Sequence, residues 1–167
     1  RIVECPALVI FGDEVYLNKV ELDDSEFYRR LAHLPKGARL PTTAQPTPRQ
    51  FTEAIEQVKA EGASSIVITT VSAKLSGTHN SAVQAAEMEH EVPVFVWDTA
   101  SASLGGGWQT IVAAEMALAG TSFEDVVAAL PDIQRRIVTV FTVNTLKHLV
   151  AGGRLSPVQG MMGTLLN

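Results

Sequence analysis

SIVITTVSAKLSGTHNSAVQAAEMEHE, residues 65–91, is the stretch from which the rest of the chain can be placed. Ile66, Val67 and Ile68 form a β-branched run, too short for a helix and apolar enough for a strand buried on both faces. The run breaks at Val71 into a loop dense in hydroxyls, Ser72, Ser76 and Thr78, with one glycine, Gly77. From Thr78 onward Ala82, Ala85 and Ala86 recur at helical spacing, a stripe of small side chains that lets a helix lie close on a sheet. A strand, a hydroxyl-glycine loop and a helix together aim backbone N–H groups and a helix dipole at an anion. Gly77 has no Cβ, so a ligand can approach the main chain there. Lys74 is the only formal charge between Ser64 and Thr78, which leaves most of the holding to neutral donors. The loop reads as a binding site.

Working outward, residues 6–11 predict a strand, with Gly12-Asp13-Glu14 turning into a second short strand at 15–17. Asp23, Asp24 and Ser25 offer caps for a short helix through Phe27 and Leu31. Residues 40–47 read as a proline-bounded loop. Thr47-Pro48-Arg49-Gln50 has the form of a capping box, opening a helix that buries Phe51, Ile55 and Val58 and stops at Gly62. Beyond the central unit, residues 92–97 predict a strand ending at Asp98. Trp108, Ile111, Val112 and Ala119 place an apolar face on the next helix, closed by Gly120. Thr121 and Glu124 suggest a further capping box, before a helix buried through Val126, Val127 and Leu130. Residues 137–143 predict another strand, followed by short helices at 145–150 and 158–165. Alternating strands and helices predict an α/β fold, a mainly parallel sheet flanked by helices, with ligands at the strands' C-terminal ends.

The chain has 167 residues, 46% of them hydrophobic, which suits one packed domain and excludes a disordered chain. A net charge of −5 and no basic run argue against nucleic-acid binding. Cys5 is the sole cysteine, so no internal disulfide forms, and a reducing compartment fits. No apolar run approaches the ~20 residues that span a bilayer.

The polar residues admit plain readings too. Ser72, Ser76 and Thr78 would serve equally well as caps of the following helix. His79 stands three residues after Ser76, which invites a nucleophile–base pair, but no Gly-x-Ser-x-Gly elbow surrounds the serine. His33, His90 and His148 show no metal-ligand spacing with each other or with Cys5, so no metal is expected. Asp98 ends a strand where a catalytic acid could stand, and where a turn-capping carboxylate is as common. Gly105-Gly106-Gly107 lacks the dinucleotide spacing and there is no P-loop, so no cofactor and no ATP site are expected.

Four segments resemble, in the same order, the signature of the DegV family, bacterial proteins that bind a fatty acid and present it to a kinase. They are VSAKLSGTHNSA at 71–82, Thr43-Ala44-Gln45-Pro46-Thr47, Trp97-Asp98-Thr99 with the segment to Gly105, and Thr145 to Leu149 with Gly152-Gly153-Arg154. Ala44 stands where the family usually has serine. The resemblance implies a DegV-like N-terminal domain whose Thr43, Ser72, Ser76 and Gly77 meet a fatty-acid carboxylate. It places Arg154 against a partner or an acyl phosphate, which suits a guanidinium fork. It implies a cytoplasmic carrier rather than an enzyme, with a long-chain fatty acid as ligand, an ATP-dependent kinase subunit as partner and transient membrane contact. It also implies that residues 1–167 are one domain cut from a longer protein, lacking a first strand before Arg1 and a second domain after Asn167. Two other functions fit the residues: a small serine hydrolase using Ser76 and His79, and a binding domain for another anionic metabolite.

Overall fold

The computed structural model describes residues 1–156. In chain order they form β1 (Leu8–Phe11), β2 (Glu14–Leu17), α1 (Asp24–Ala32), β3 (Thr42–Ala44), α2 (Pro48–Ala60) and β4 (Ile66–Thr70). There follow α3 (Thr78–Glu87), β5 (Val94–Asp98), α4 (Leu104–Leu118), α5 (Phe123–Arg136) and α6 (Lys147–Ala151). The expected α/β class is what these residues build.

β4 and β5 pair in parallel, from Ile66 opposite Val94 to Thr70 opposite Asp98. Successive side chains of a strand point to opposite faces, and the two faces are covered separately. On one, Ile66, Ile68 and Val96 pack against Phe51 and Ile55 of α2 and against Ala82 and Ala85 of α3. On the other, Val67, Phe95 and Trp97 meet Ala113 of α4 and Val126 and Leu130 of α5. Both layers are needed because a strand apolar on both faces cannot leave either one wet.

The parallel pairing stops there. β1 pairs antiparallel with β2 on one edge and with β3 on the other, as a separate three-stranded sheet. Within residues 40–47, expected as loop, Thr42–Ala44 form the strand β3. Three residues carry no period of their own, and Thr42–Ala44 become a strand only because β1 offers Leu8, Val9 and Ile10 as partners.

The α2 capping box forms as expected, with Thr47 Oγ1 accepting from Gln50 N and Gln50 reaching back to Thr47 N. The cap of α5 is one residue later than expected. Thr121 N is engaged by Met116 O in the turn that ends α4 around Gly120, which has φ +85°. Ser122 takes the capping role, and its Oγ accepts from Asp125 N.

The buried face of α4 also differs: Trp108 is 55% exposed, while Gly105, Gln109 and Ala113 face the sheet. Small residues at both ends of that stripe let the helix approach closely enough to bury the Gln109 amide. Residues 137–143 follow α5 without joining a ladder, and Val138 and Val140 are more than four-fifths exposed. β-propensity expresses packing against neighbouring strands, and here Thr139 lies against Gly105 and hydrogen-bonds the Ser101 hydroxyl instead of a strand. The helix expected at 158–165 lies outside the described residues.

An ion cluster fastens α2 to the turn after α3. Lys59 Nζ donates to Glu56, to the nearly buried Glu89 and to Glu91, at 3.0, 2.9 and 2.6 Å. The Lys59 ammonium first, and the Glu91 amide second, pull the Glu89 carboxyl down from 4.5 to about 2. A carboxyl depressed in the folded state stabilises above its ordinary value and loses that contribution as pH falls toward the folded one. Thermal unfolding of wild type and Glu89→Gln should therefore differ most above pH 4.5 and converge as pH approaches 2. A gap that persists unchanged to the acid end would show that the charge is not the cause.

Candidate functional site

β4 and β5 end at the same level, and their loops are tied together before any ligand is considered. Thr99 donates from both N and Oγ1 to Thr70 O, at 3.2 and 2.7 Å. Ser72 N donates to Ser101 O at 2.8 Å. Asp98 Oδ1 accepts from Ala73 N at 3.2 Å and from Ala100 N at 2.8 Å, one oxygen holding both loops. That is the turn-capping role.

Behind the loops lies Gln109, 1% exposed. Its Nε2 donates to Thr99 O and Gly105 O at 2.9 and 3.1 Å, and its Oε1 accepts from Trp97 Nε1 at 2.8 Å. Three rigid attachments in one amide hold the β5–α4 connection to the sheet. That connection carries two non-glycine residues with positive φ, Ala100 at +47° and Ser103 at +53°. Such backbone persists only where surroundings over-determine it, and it concentrates at functional sites.

The β4–α3 loop is folded on itself around Ser72, which is 4% exposed. Ser72 O accepts from Leu75 N and Ser76 N, and Ser72 Oγ from Lys74 N. Ser72 therefore shapes the turn from within. Ser76 is half-buried, and its Oγ lies 2.8 Å from Thr78 Oγ1 and accepts weakly from Thr78 N at 3.3 Å. Gly77 occupies the N-cap of α3 with no side-chain cap, so the helix's positive end faces the same place as the Ser76 and Thr78 hydroxyls.

Gly77 has φ −74°, ordinary for any residue, so the need for glycine is space. A Cβ there would displace the Gln45 amide, the far end of a flexible side chain. The Gln45 side chain lies in that gap, and its Nε2 donates to Ser81 Oγ at 3.2 Å. Nothing in the Thr43-Ala44-Gln45-Pro46-Thr47 segment marks Gln45 for this position. Its contact with Gly77 brings the end of β3 to the loop, and with it Thr43, which is exposed on β3 opposite Val9.

Arg154 comes to the same loop from 79 residues away. Gly153 turns the chain at φ +74°, and the Arg154 guanidinium donates to Leu75 O at 3.2 Å and Gly152 O at 2.7 Å. Arg154 thus meets the β4–α3 loop that carries Ser72, Ser76 and Gly77, while Thr43, on the other sheet, is linked to that loop only through Gln45, two residues on. His79 does not join them: its Nδ1 is 3.1 Å from Thr70 Oγ1. Among the described residues no group of three His, Cys, Asp or Glu side chains could hold a metal.

The DegV family model, described as that of an uncharacterised protein family, matches residues 2–167. A DegV domain-containing protein of Halalkalibacterium halodurans is 33% identical over 165 residues, 99% of this chain and 57% of its own. A solved DegV family protein from Thermus thermophilus, described as binding a fatty acid, is 36% identical. It superposes with a TM-score of 0.81 over 98% of this chain and 56% of its own. The solved DegV of Bacillus subtilis, described as a fatty acid binding protein, is 32% identical with a TM-score of 0.81, over 95% of this chain and 55% of its own. The chain thus spans about half the length of the relatives it matches.

Proposed function

The chain belongs to the DegV family, and from that premise we propose that it holds a long-chain fatty acid by its carboxylate at the Ser76 loop and presents that carboxylate to an ATP-dependent kinase subunit. The carboxylate oxygen attacks the γ-phosphorus of ATP on the kinase, ADP leaves, and the product is an acyl phosphate for phospholipid synthesis. This chain's part is to bind and orient.

The observation that carries the reading is the convergence at one loop of two hydroxyls, an uncapped helix start and a guanidinium. An anion is the natural guest of such a place, since charged acceptors strengthen every hydrogen bond they receive. That the solved relatives are described as fatty-acid binders favours a carboxylate over another anionic metabolite. The hydrolase reading finds no support in the contacts: Ser76 Oγ is engaged with Thr78 and His79 with Thr70, so the two are not a nucleophile–base pair. Work beside an ATP-dependent kinase belongs in the cytoplasm, with transient membrane contact to load the lipid. No helix among the described residues is long and apolar enough to cross a membrane.

Mass spectrometry of the intact gene product, purified and then denatured, tests the proposal. Copurified acyl chains are the expected result, and Arg154→Ala should keep them. Given ~1.5–3 kcal/mol for a hydrogen bond to a charged group, acyl-phosphate formation by the kinase should slow by about one to two decades in that variant. Protein free of acyl chains, or turnover of an ester by the protein alone, would defeat the carrier reading. Arg154→Ala protein that loses its lipid but phosphorylates the remainder normally would move Arg154 from the partner to the ligand.

A further inference from the structure

We propose that Gln45 is a positioning residue of the anion site: its amide is the spacer that sets Thr43 against Ser76, so that hydroxyls from two separate sheets close on one carboxylate. The inference rests on the carboxylate reading of the Ser76 loop and adds to it the part that holds the two halves in register.

The main chain of Gln45 has little freedom. Before it, Ala44 is paired with Leu8 at the end of β3. After it, Pro46 is fully buried and Thr47 caps α2 by accepting from Gln50 N. A residue that precedes proline is confined to extended backbone, so Gln45 continues the alternation of β3. Thr43 and Gln45 therefore lie on the same side of the chain, and Ala44 on the other. Two residues of extended chain set their Cα atoms ~6.5 Å apart.

The Gln45 side chain shows what that side faces. Its Nε2 donates to Ser81 Oγ at 3.2 Å, and Ser81 is buried in α3. Its Oε1, Nε2 and Cδ are the three atoms nearest to where a Gly77 Cβ would stand. The amide thus lies over the start of α3, beside the residue that follows Ser76. Among the described residues, the Gln45–Ser81 bond is the only hydrogen bond between residues 42–47 and residues 71–87. Without it, no polar contact fixes the distance between exposed Thr43 on one sheet and the Ser76 loop on the other. A carboxylate accepts at both oxygens, and two hydroxyls serve it together only where their separation is held.

The role of Gly77 changes accordingly. A missing Cβ at that position suggests access for a ligand to the main chain, yet the space is filled by the Gln45 amide. Alanine at 77 meets no backbone strain at φ −74°, so its effect would come from pushing that amide aside.

Equilibrium binding of palmitic acid and of hexadecan-1-ol, a chain of equal length without the carboxylate, to the intact gene product decides it. Gln45→Ala and Thr43→Val should each weaken palmitic acid binding by about tenfold, the scale of one hydrogen bond to a charged group, and hexadecan-1-ol by less than about twofold. The double variant should be no weaker than either single one, because the valine removes a hydroxyl already out of place. Gly77→Ala should match Gln45→Ala, and combining those two should add nothing, since the amide that the new Cβ would strike is gone. Losses that multiply in the Thr43, Gln45 double variant would overturn the proposal. Equal weakening of acid and alcohol, the mark of a merely structural strap, would overturn it as well, and so would unchanged palmitic acid binding by Gln45→Ala. If Gly77→Ala remains harmful in the Gln45→Ala background, the glycine makes room for the ligand and the spacer is refuted. Ser76→Ala separates the two readings. Unchanged binding there defeats the carboxylate site itself, whereas weakened binding there but not in Gln45→Ala defeats the spacer alone.

Discussion

Gln109→Met in the intact protein is expected to lower unfolding free energy by about 2–4 kcal/mol, the largest loss foreseen for any single polar residue here. The side chain is buried and of similar volume to methionine, so the core stays filled and the transfer and cavity terms stay small. What disappears is the amide that served Trp97 Nε1, Thr99 O and Gly105 O together. Each buried group left without a partner costs ~1–3 kcal/mol, reduced here because Trp97 is only partly buried. Denaturant titration measures the difference. A loss below ~1 kcal/mol, the ordinary range of a volume-matched swap, would mean that water serves those groups and that Gln109 is not the anchor described.

Loss of the Ser76 hydroxyl is expected to weaken fatty-acid binding by about one to two decades, at ~1.5–3 kcal/mol for a hydrogen bond to a charged group. Binding should survive, because a buried acyl chain contributes ~0.8 kcal/mol per CH₂. Ser76→Ala with Thr43→Val should be weaker still if both hydroxyls reach the carboxylate. Ser76→Cys is the sharper probe. A nucleophilic site offered an ester would be acylated, the thiolate forming the thioester as the alcohol leaves, while a cradle leaves the thiol unmodified. Unchanged affinity in the alanine variant would confine Ser76 to its Thr78 contact, and acylation at position 76 would move the assignment to a hydrolase.

The centre of the fold was legible because its signals are local. Ile66 to Ile68 and the Ala82, Ala85, Ala86 stripe announce a strand and a close-packed helix without reference to anything distant, and both form. The α2 capping box is likewise contained in four residues. What was misread depends on partners far along the chain. β3 exists through Val9, and residues 137–143 lack a strand for want of a neighbour. On α4 the hydrophobic pattern pointed to Trp108, but a glutamine with three partners can be buried where a tryptophan need not be. In the site, the hydroxyls of the 71–78 loop could be read as an anion cradle from spacing. The approach of Arg154 to Leu75 could not, and the family resemblance set that arginine against a partner or an acyl phosphate rather than against the loop. Gln45 was overlooked because nothing local distinguishes it. The signal was Gly77 itself, a glycine whose ordinary φ means that it makes room for another side chain.

The single Asp98 oxygen that accepts from Ala73 N and Ala100 N has one more consequence. Together with the Ser72–Ser101 bond it removes the independence of the two loops' fluctuations. Displacing one loop is therefore expected to carry the other, and a spectroscopic reporter placed near Ala102 should respond to ligand binding at Ser76.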